Sequence, residues 1–267
     1  MIPVGDSVRS RTFPYVNVTI IALNVLVFLY QLSLSTLPDM FPTLRGQPIT
    51  ELDRFFYDWG TVSACLGDRF GFGTDVSQPS LEVFCPSRSQ IVLTPFSAMF
   101  IHGGWVHLIG NMVFLWVFGD NVEDAMGHTR YLVFYVVAGL AATAAQTAAS
   151  AGDLVPAIGA SGAIAGVLGA YLVLYPRATV AAILPIFLLF WVPFYVPAVF
   201  LIGLWFVMQL LNGAAALAST DVVNAGGGVA WFAHIGGFVA GVVLVRLFVL
   251  GRPPPPPVQP RRRSRGW

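Results

Sequence analysis

Six long apolar stretches divide the chain, at residues 15–34, 95–118, 131–149, 159–175, 180–211 and 229–250. A helix that crosses a bilayer needs about 20 mostly apolar residues. Each stretch is close to that length or exceeds it. The pattern therefore predicts an all-α membrane protein with six transmembrane helices. The first stretch does not read as a cleavable signal peptide. It begins too far from the start, and no small-residue cleavage site follows Tyr30-Gln31-Leu32-Ser33.

Three polar segments punctuate the pattern. Residues 1–14 form a short lead, 35–93 a long loop, and 251–267 a tail. In the loop Phe55, Phe56, Tyr57, Trp59, Phe70 and Phe72 lie among charges and glycines. That mixture suits either a partly ordered loop at the membrane surface, where aromatic rings favour the headgroup level, or a small cap. The tail opens with five prolines, 253–257, and ends in Arg261, Arg262, Arg263 and Arg265. Such a segment cannot build a core and is expected to be extended and disordered. A basic cluster beside a membrane needs no nucleic acid to explain it, and no nucleic-acid module or repeat is visible.

Composition supports the same solvent. Hydrophobic residues make up 56% of the 267 and charged residues only 10%, with a mean hydropathy of +0.74. Soluble domains carry about 25% charged residues. The apolar runs follow one another closely enough to be one membrane domain, 15–250. The net charge of +1 averages two unlike faces. Arg9 and Arg11 precede the first stretch, Arg252 and the tail arginines follow the last, and Arg177 separates the fourth from the fifth. The positive-inside rule then places both termini in the cytoplasm. Asp120, Glu123 and Asp124 outnumber Arg130 after the second stretch, but acidic residues weigh little in that rule. The 35–93 loop, with seven acidic residues against four Arg, falls outside. It holds both cysteines, Cys65 and Cys85. A bridge and two free thiols are both open there.

Polar residues within spans are costly and usually functional. His102, His107 and Asn111 fall in the second stretch, Gln146 in the third, Ser161 in the fourth and His234 in the sixth. Taken alone, Ser161 reads as a small packing residue. Its setting changes that, because Pro156 and Gly159 place it at the start of a helix. Free backbone N–H groups there favour a developing oxyanion. Imidazole has the right basicity to take its proton, which points to His234. Ala165 and Gly169 follow Ser161 by four and eight positions, and Gly237 and Gly241 follow His234 by three and seven. Two faces of small residues let helices approach closely. The spacing thus predicts contact between the Ser161 and His234 helices, with Gly237 against Ala165 and Gly169 and with Gly236 pointing elsewhere. His107 and Asn111, four apart on one face, are candidate oxyanion donors with the Ser161 N–H. His102 is expected to brace the loop.

These residues also carry a family likeness. The run His102-Gly103-Gly104-Trp105-Val106-His107-Leu108-Ile109-Gly110-Asn111-Met112 resembles the second-span signature of the rhomboid intramembrane proteases. Gly159-Ala160-Ser161-Gly162 resembles their nucleophile motif, and Ala233-His234-Ile235-Gly236-Gly237, with Gly241 beyond, their catalytic last span. Val122-Glu123-Asp124-Ala125-Met126-Gly127-His128 resembles the turn after the second span in bacterial members. The resemblance implies a six-helix rhomboid-type bundle with a Ser161–His234 dyad and an oxyanion hole from His107, Asn111 and the Ser161 N–H. It implies Gly159, Gly162, Gly237 and Gly241 as supporting positions, and Gln146 as a residue that helps hold water. It implies cleavage of single-span proteins in or near their transmembrane helices, in the lipid bilayer, without cofactor or metal. For a bacterial member the place is the inner or plasma membrane. Some members carry a Tyr four residues after the nucleophile, beneath the catalytic His. Here that position is Ala165, so no counterpart steadies His234.

Three rival readings remain in view. His102, His107 and His234 could ligate zinc, but there is no His-Glu-x-x-His run and no acidic residue within the relevant spans. A transporter would be expected to show duplicated halves, and none are visible. A catalytically inactive rhomboid-like protein that binds membrane clients is the main alternative. Such relatives typically lack the dyad that this chain keeps.

Overall fold

The computed structural model describes residues 2–34, 50–71, 85–87, 89–186, 190–218, 229–256 and 258. Of the tail expected to be disordered, residues 257 and 259–267 lie outside these residues, as does Phe72. Residues 251–256 and 258 are described, and the Pro254 carbonyl accepts from Arg11 at 3.2 Å while Val258 packs on the core. Nine helices are described: α1 (Tyr15–Gln31), α2 (Glu51–Trp59), α3 (Ser63–Arg69), α4 (Thr94–Ser97), α5 (Trp105–Met126), α6 (His128–Ala149), α7 (Ser161–Leu174), α8 (Ala198–Ala218) and α9 (Trp231–Phe248). The chain is an integral membrane protein built as a helical bundle. Helices α6, α9 and residues Ala198–Leu217 of α8 are long and apolar enough to cross a membrane. The pair Thr94–Phe100 and Trp105–Met126 makes a fourth crossing if counted as one. Helices α1 and α7 are apolar but shorter. By length and composition, three or four crossings thus stand against the six expected.

At the centre lies α7. Every residue from Gly162 to Tyr171 is buried, as expected of a helix that is apolar all round. Its 14 residues give a rod of about 21 Å, shorter than a hydrocarbon core of about 30 Å. Its C-terminal half is anchored at one end of the bundle. There the Tyr175 hydroxyl donates to the Asn121 carbonyl at 3.1 Å and the Tyr171 hydroxyl to Asp6. The N-terminal Ser161 consequently sits recessed among longer neighbours.

Two of the expected spans are different objects. The 95–118 stretch is bent by 93° between Phe100 and Trp105. Gly103 and Gly104 occupy the break, and Gly104 is extended, with φ 162°. His102 therefore lies in the bend, while His107 and Asn111 share a face of α5. The 180–211 stretch is not one helix. It begins as an antiparallel hairpin of two strands, Thr179–Ile186 and Phe190–Pro197, before α8 starts. The physical reason is in its prolines. Pro185, Pro193 and Pro197 each remove a donor that a helix interior needs. Strand Ile2–Asp6 pairs with the first hairpin strand from Ile183 back to Val180, completing a three-stranded sheet. The prolines at 193 and 197 lie on an edge strand, where a missing N–H is tolerated.

The acidic residues after the second stretch also belong to the bundle and not to a loop. Glu123 is 0% exposed. Its carboxylate accepts from the N–H groups of Val16 at 3.0 Å and Asn17 at 2.7 Å, the orphan donors that open α1. Asp124 accepts from Arg11 Nε at 2.9 Å and from Thr12 N–H at 3.1 Å. Glu123→Ala is expected to strand two buried donors and lower stability by about 1–3 kcal/mol, read as a lower Tm in detergent.

Asp6 accepts from Val8 N–H, Asn121 Nδ2 and the Tyr171 hydroxyl. Burial nevertheless outweighs these bonds and raises its pKa to about 6. The folded state thus favours the neutral acid. The stabilisation is full below about pH 4, the ordinary carboxylate range, and is lost as pH rises through about 6. The Tm of the parent is expected to fall across that window relative to Asp6→Asn, whose difference from the parent should vanish at low pH.

The 35–93 segment contributes α2, α3 and a two-residue strand, Thr61–Val62, paired with Pro156–Ala157. Cys65 and Cys85 are joined, with Cα atoms 5.6 Å apart. Val62, Ala64, Leu66 and Ile91 pack with that bridge into a small core of their own.

Candidate active site

Ser161 is the first residue of α7, and no side chain caps that end. The first intrahelical bond runs from Ile164 N–H to the Ala160 carbonyl at 3.0 Å. The N–H groups of Ser161, Gly162 and Ala163 are thus the orphan donors of the helix, with the positive end of its dipole beside the hydroxyl. From α9, His234 Nε2 lies 2.7 Å from Ser161 Oγ. Sequence spacing placed these helices together, and they do meet along small residues. The contacting line differs from the one expected. A Cβ at Gly237 would overlap the Gly162 carbonyl oxygen, and one at Gly241 the Gly166 carbonyl oxygen. Gly169 faces the Phe238 carbonyl. The seam is therefore Gly162–Gly166–Gly169 against Gly237–Gly241, and Ala165 is not the partner of Gly237. Gly162 also abuts Ala142 of α6, whose Cβ lies 2.6 Å from where a side chain at Gly162 would begin.

The opposite wall comes from α5 and the bend before it. Gly159 has φ +122°, and a Cβ there would stand 2.7 Å from His107 Nε2 and 3.6 Å from Asn111 Nδ2. Glycine is thus required by both backbone and space, and its absent side chain brings His107 and Asn111 beside the Ser161 turn. Asn111 Nδ2 lies 2.9 Å from His102 Nε2. An amide nitrogen carries two hydrogens, so one can go to His102 while the other remains for the site. His102 is itself clamped by Gln31 of α1. Gln31 Nε2 donates to the His102 carbonyl at 2.8 Å, and the His102 N–H donates to Gln31 Oε1 at 3.1 Å. The His102 and His107 rings meet edge to face, 5.0 Å apart. His102 thus braces the bend and orients Asn111. Gln31 was not singled out in the sequence, though a polar residue in an apolar run was its signal.

Gln146 lies on α6. Its Oε1 accepts from Ala233 N–H at 3.2 Å in the first turn of α9, and its Nε2 reaches Ser150 Oγ at 3.3 Å. It therefore pins the start of the helix that carries His234. Gln146 and Ser161 also line a chamber of about 40 Å³. A single water needs roughly 10–15 Å³ of such space, so water would fit. A larger cavity of about 710 Å³ opens on the other side of Ser161, walled by Trp105, His107, Asn111, Trp205 and His234.

One polar partner escaped the sequence reading. Gln209 of α8 places Oε1 2.8 Å from His234 Nδ1, and its Nε2 donates to the Trp205 carbonyl at 3.1 Å. The Trp205 and Trp231 rings flank the imidazole at 5.7 Å and 6.3 Å. A lone glutamine among apolar residues was again the available signal. The run containing it reads from sequence as a single span from residue 180. Among the described residues, no group of three or more His, Cys, Asp or Glu is disposed to hold a metal ion.

The chain is similar in sequence to known proteins over part of its length. The family model described as Rhomboid domain matches residues 90–251, more than half of the chain. RHOMBOID-like protein 5 of Arabidopsis thaliana is 36% identical over 76 residues, 28% of this chain and 25% of that protein. The mitochondrial presenilin-associated rhomboid-like protein of Bos taurus is 32% identical over 114 residues, 42% and 28% of the two chains. Rhomboid protease GluP of Bacillus subtilis (strain 168) is 41% identical over 81 residues, 30% and 15% of the two. The similarity therefore spans little more than a quarter of these relatives' lengths at most.

Proposed function

Because the chain belongs to the rhomboid family, we propose that it is an intramembrane serine endopeptidase acting on single-span membrane proteins in or near their transmembrane helix. The observation that carries this reading is the 2.7 Å separation of Ser161 Oγ and His234 Nε2 at an uncapped helix N-terminus. A relative named as a protease, Rhomboid protease GluP, supports it.

The chemistry follows from these groups. Ser161 Oγ attacks the peptide carbonyl carbon as its proton passes to His234 Nε2. The carbonyl oxygen takes the electron pair and becomes an oxyanion. The Ser161 N–H, Asn111 Nδ2 and the His107 ring are the donors disposed to receive it. Collapse of the intermediate breaks the C–N bond, and the leaving amine takes the proton from His234. Water, deprotonated by the same imidazole, then hydrolyses the acyl-serine and restores the hydroxyl. The recessed position of Ser161 suits this work. A substrate helix must unwind to present its peptide bond, and the 710 Å³ cavity gives the freed segment room. The arginine distribution supports cytoplasmic termini and an outward-facing Ser161 end.

Two measurements test the reading. A fluorophosphonate probe should label the purified, detergent-solubilised chain and fail to label Ser161→Ala. Absence of labelling in the parent would favour the client-binding alternative. Asn111→Ala should lower kcat more than it raises KM, by up to about 10²–10³-fold for a lost oxyanion donor. An unchanged kcat would leave Asn111 as a bracing residue only.

A further inference from the structure

His234 has two ring nitrogens, and the serine reading uses only Nε2. We propose that Gln209 is the positioning residue of the dyad, its carboxamide oxygen holding His234 in the Nδ1–H tautomer so that a bare Nε2 faces Ser161. This inference rests on the serine-protease reading above and adds a third member to it from α8.

The hydrogen-bond inventory forces the assignment. A carboxamide oxygen can only accept, so the partner of Gln209 Oε1 at 2.8 Å must be an Nδ1–H. A neutral imidazole has one such hydrogen, which leaves Nε2 as an acceptor for the Ser161 hydroxyl at 2.7 Å. The amide could in principle be turned over. Here its nitrogen donates to the Trp205 carbonyl at 3.1 Å. A flipped amide would set oxygen against oxygen at that place, so Trp205 fixes the orientation of Gln209. Gln209 is 5% exposed, and a polar side chain on an apolar membrane helix is costly unless its groups are satisfied. Both of its groups are satisfied here, and one of them by His234. The Trp205 and Trp231 rings confine the imidazole but offer Nδ1 no acceptor. Position 165, one turn after Ser161, is alanine and supplies none either.

Gln209→Leu keeps the volume and removes the acceptor. It is expected to lower kcat roughly tenfold to a hundredfold, the scale of a misplaced catalytic group, with KM within about twofold. Gln209→Glu keeps an acceptor oxygen and should retain activity that the leucine variant loses. The tautomer itself is read by ¹⁵N NMR of the histidine-labelled full-length parent in detergent. Nδ1 should carry the hydrogen in the parent, and the population should move toward Nε2–H in Gln209→Leu. This readout does not depend on any variant folding, because an Nε2–H tautomer in the parent overturns the proposal outright. Parental kcat and tautomer in Gln209→Leu, or equal loss in the leucine and glutamate variants, would also overturn it. Such results leave the serine mechanism intact as long as Ser161→Ala is inactive. Turnover by Ser161→Ala would instead remove the reading beneath both.

Discussion

Ser161→Ala is expected to abolish cleavage of a reporter transmembrane substrate, and His234→Ala to do the same. Ser161 Oγ is the hydroxyl within hydrogen-bond reach of the imidazole, and without it the acyl intermediate cannot form. Losing the nucleophile or base of such a unit can cost about 10⁶ in kcat. Because the two act together, the double variant should be no slower than either single one. The fold should survive, since Ser161→Ala removes one side-chain hydrogen bond and His234→Ala two, all at the edge of a cavity. A parental Tm alongside lost turnover separates chemistry from unfolding. Turnover retained by purified Ser161→Ala would sink the serine mechanism.

Gly237→Val should be the most damaging change that touches neither group. Even a single Cβ at this position would overlap the Gly162 carbonyl oxygen, one residue beyond Ser161. Main chain cannot swing aside as a side chain can, so α9 must back away from α7. Overpacking of a well-filled interior typically costs about 1–3 kcal/mol. Displacing the imidazole by about 1 Å can also cost around 10²-fold in rate. Both a lowered Tm and lost activity are therefore expected. The natural control is not Gly236, which sequence spacing had pointed away from contact. A Cβ there would overlap Ala145 and lie 3.2 Å from the Ala141 carbonyl oxygen, because Gly236 faces α6. Gly236→Ala is thus expected to be costly as well. A Cβ at Gly203, on α8, would meet nothing within 4 Å, so Gly203→Ala should match the parent. A stable, active Gly237→Val protein would mean that α7 and α9 do not meet along this seam.

Hydrophobic pattern alone determined the solvent of this protein and most of its helices. The stretch at 229–250 became Trp231–Phe248, and that at 131–149 became His128–Ala149. Those readings hold because burying a backbone in lipid forces its hydrogen bonds inward, and an apolar run has few other options. Ser161, His234, His107 and Asn111 were legible for a related reason. Polar groups are expensive in such a setting, and each stood out against its neighbours. Only the tertiary structure decided the rest. Apolarity does not distinguish a strand from a helix, so the hairpin before Ala198 was read as part of a span despite its prolines. Charge in sequence does not reveal burial, so Glu123 looked like a loop acid when it in fact closes the start of α1. Helical periodicity fixes which residues share a face but not which neighbour that face meets. Gly237 thus found Gly162 in place of Ala165, and Gln209, 25 residues before His234, reached its Nδ1 from a third helix.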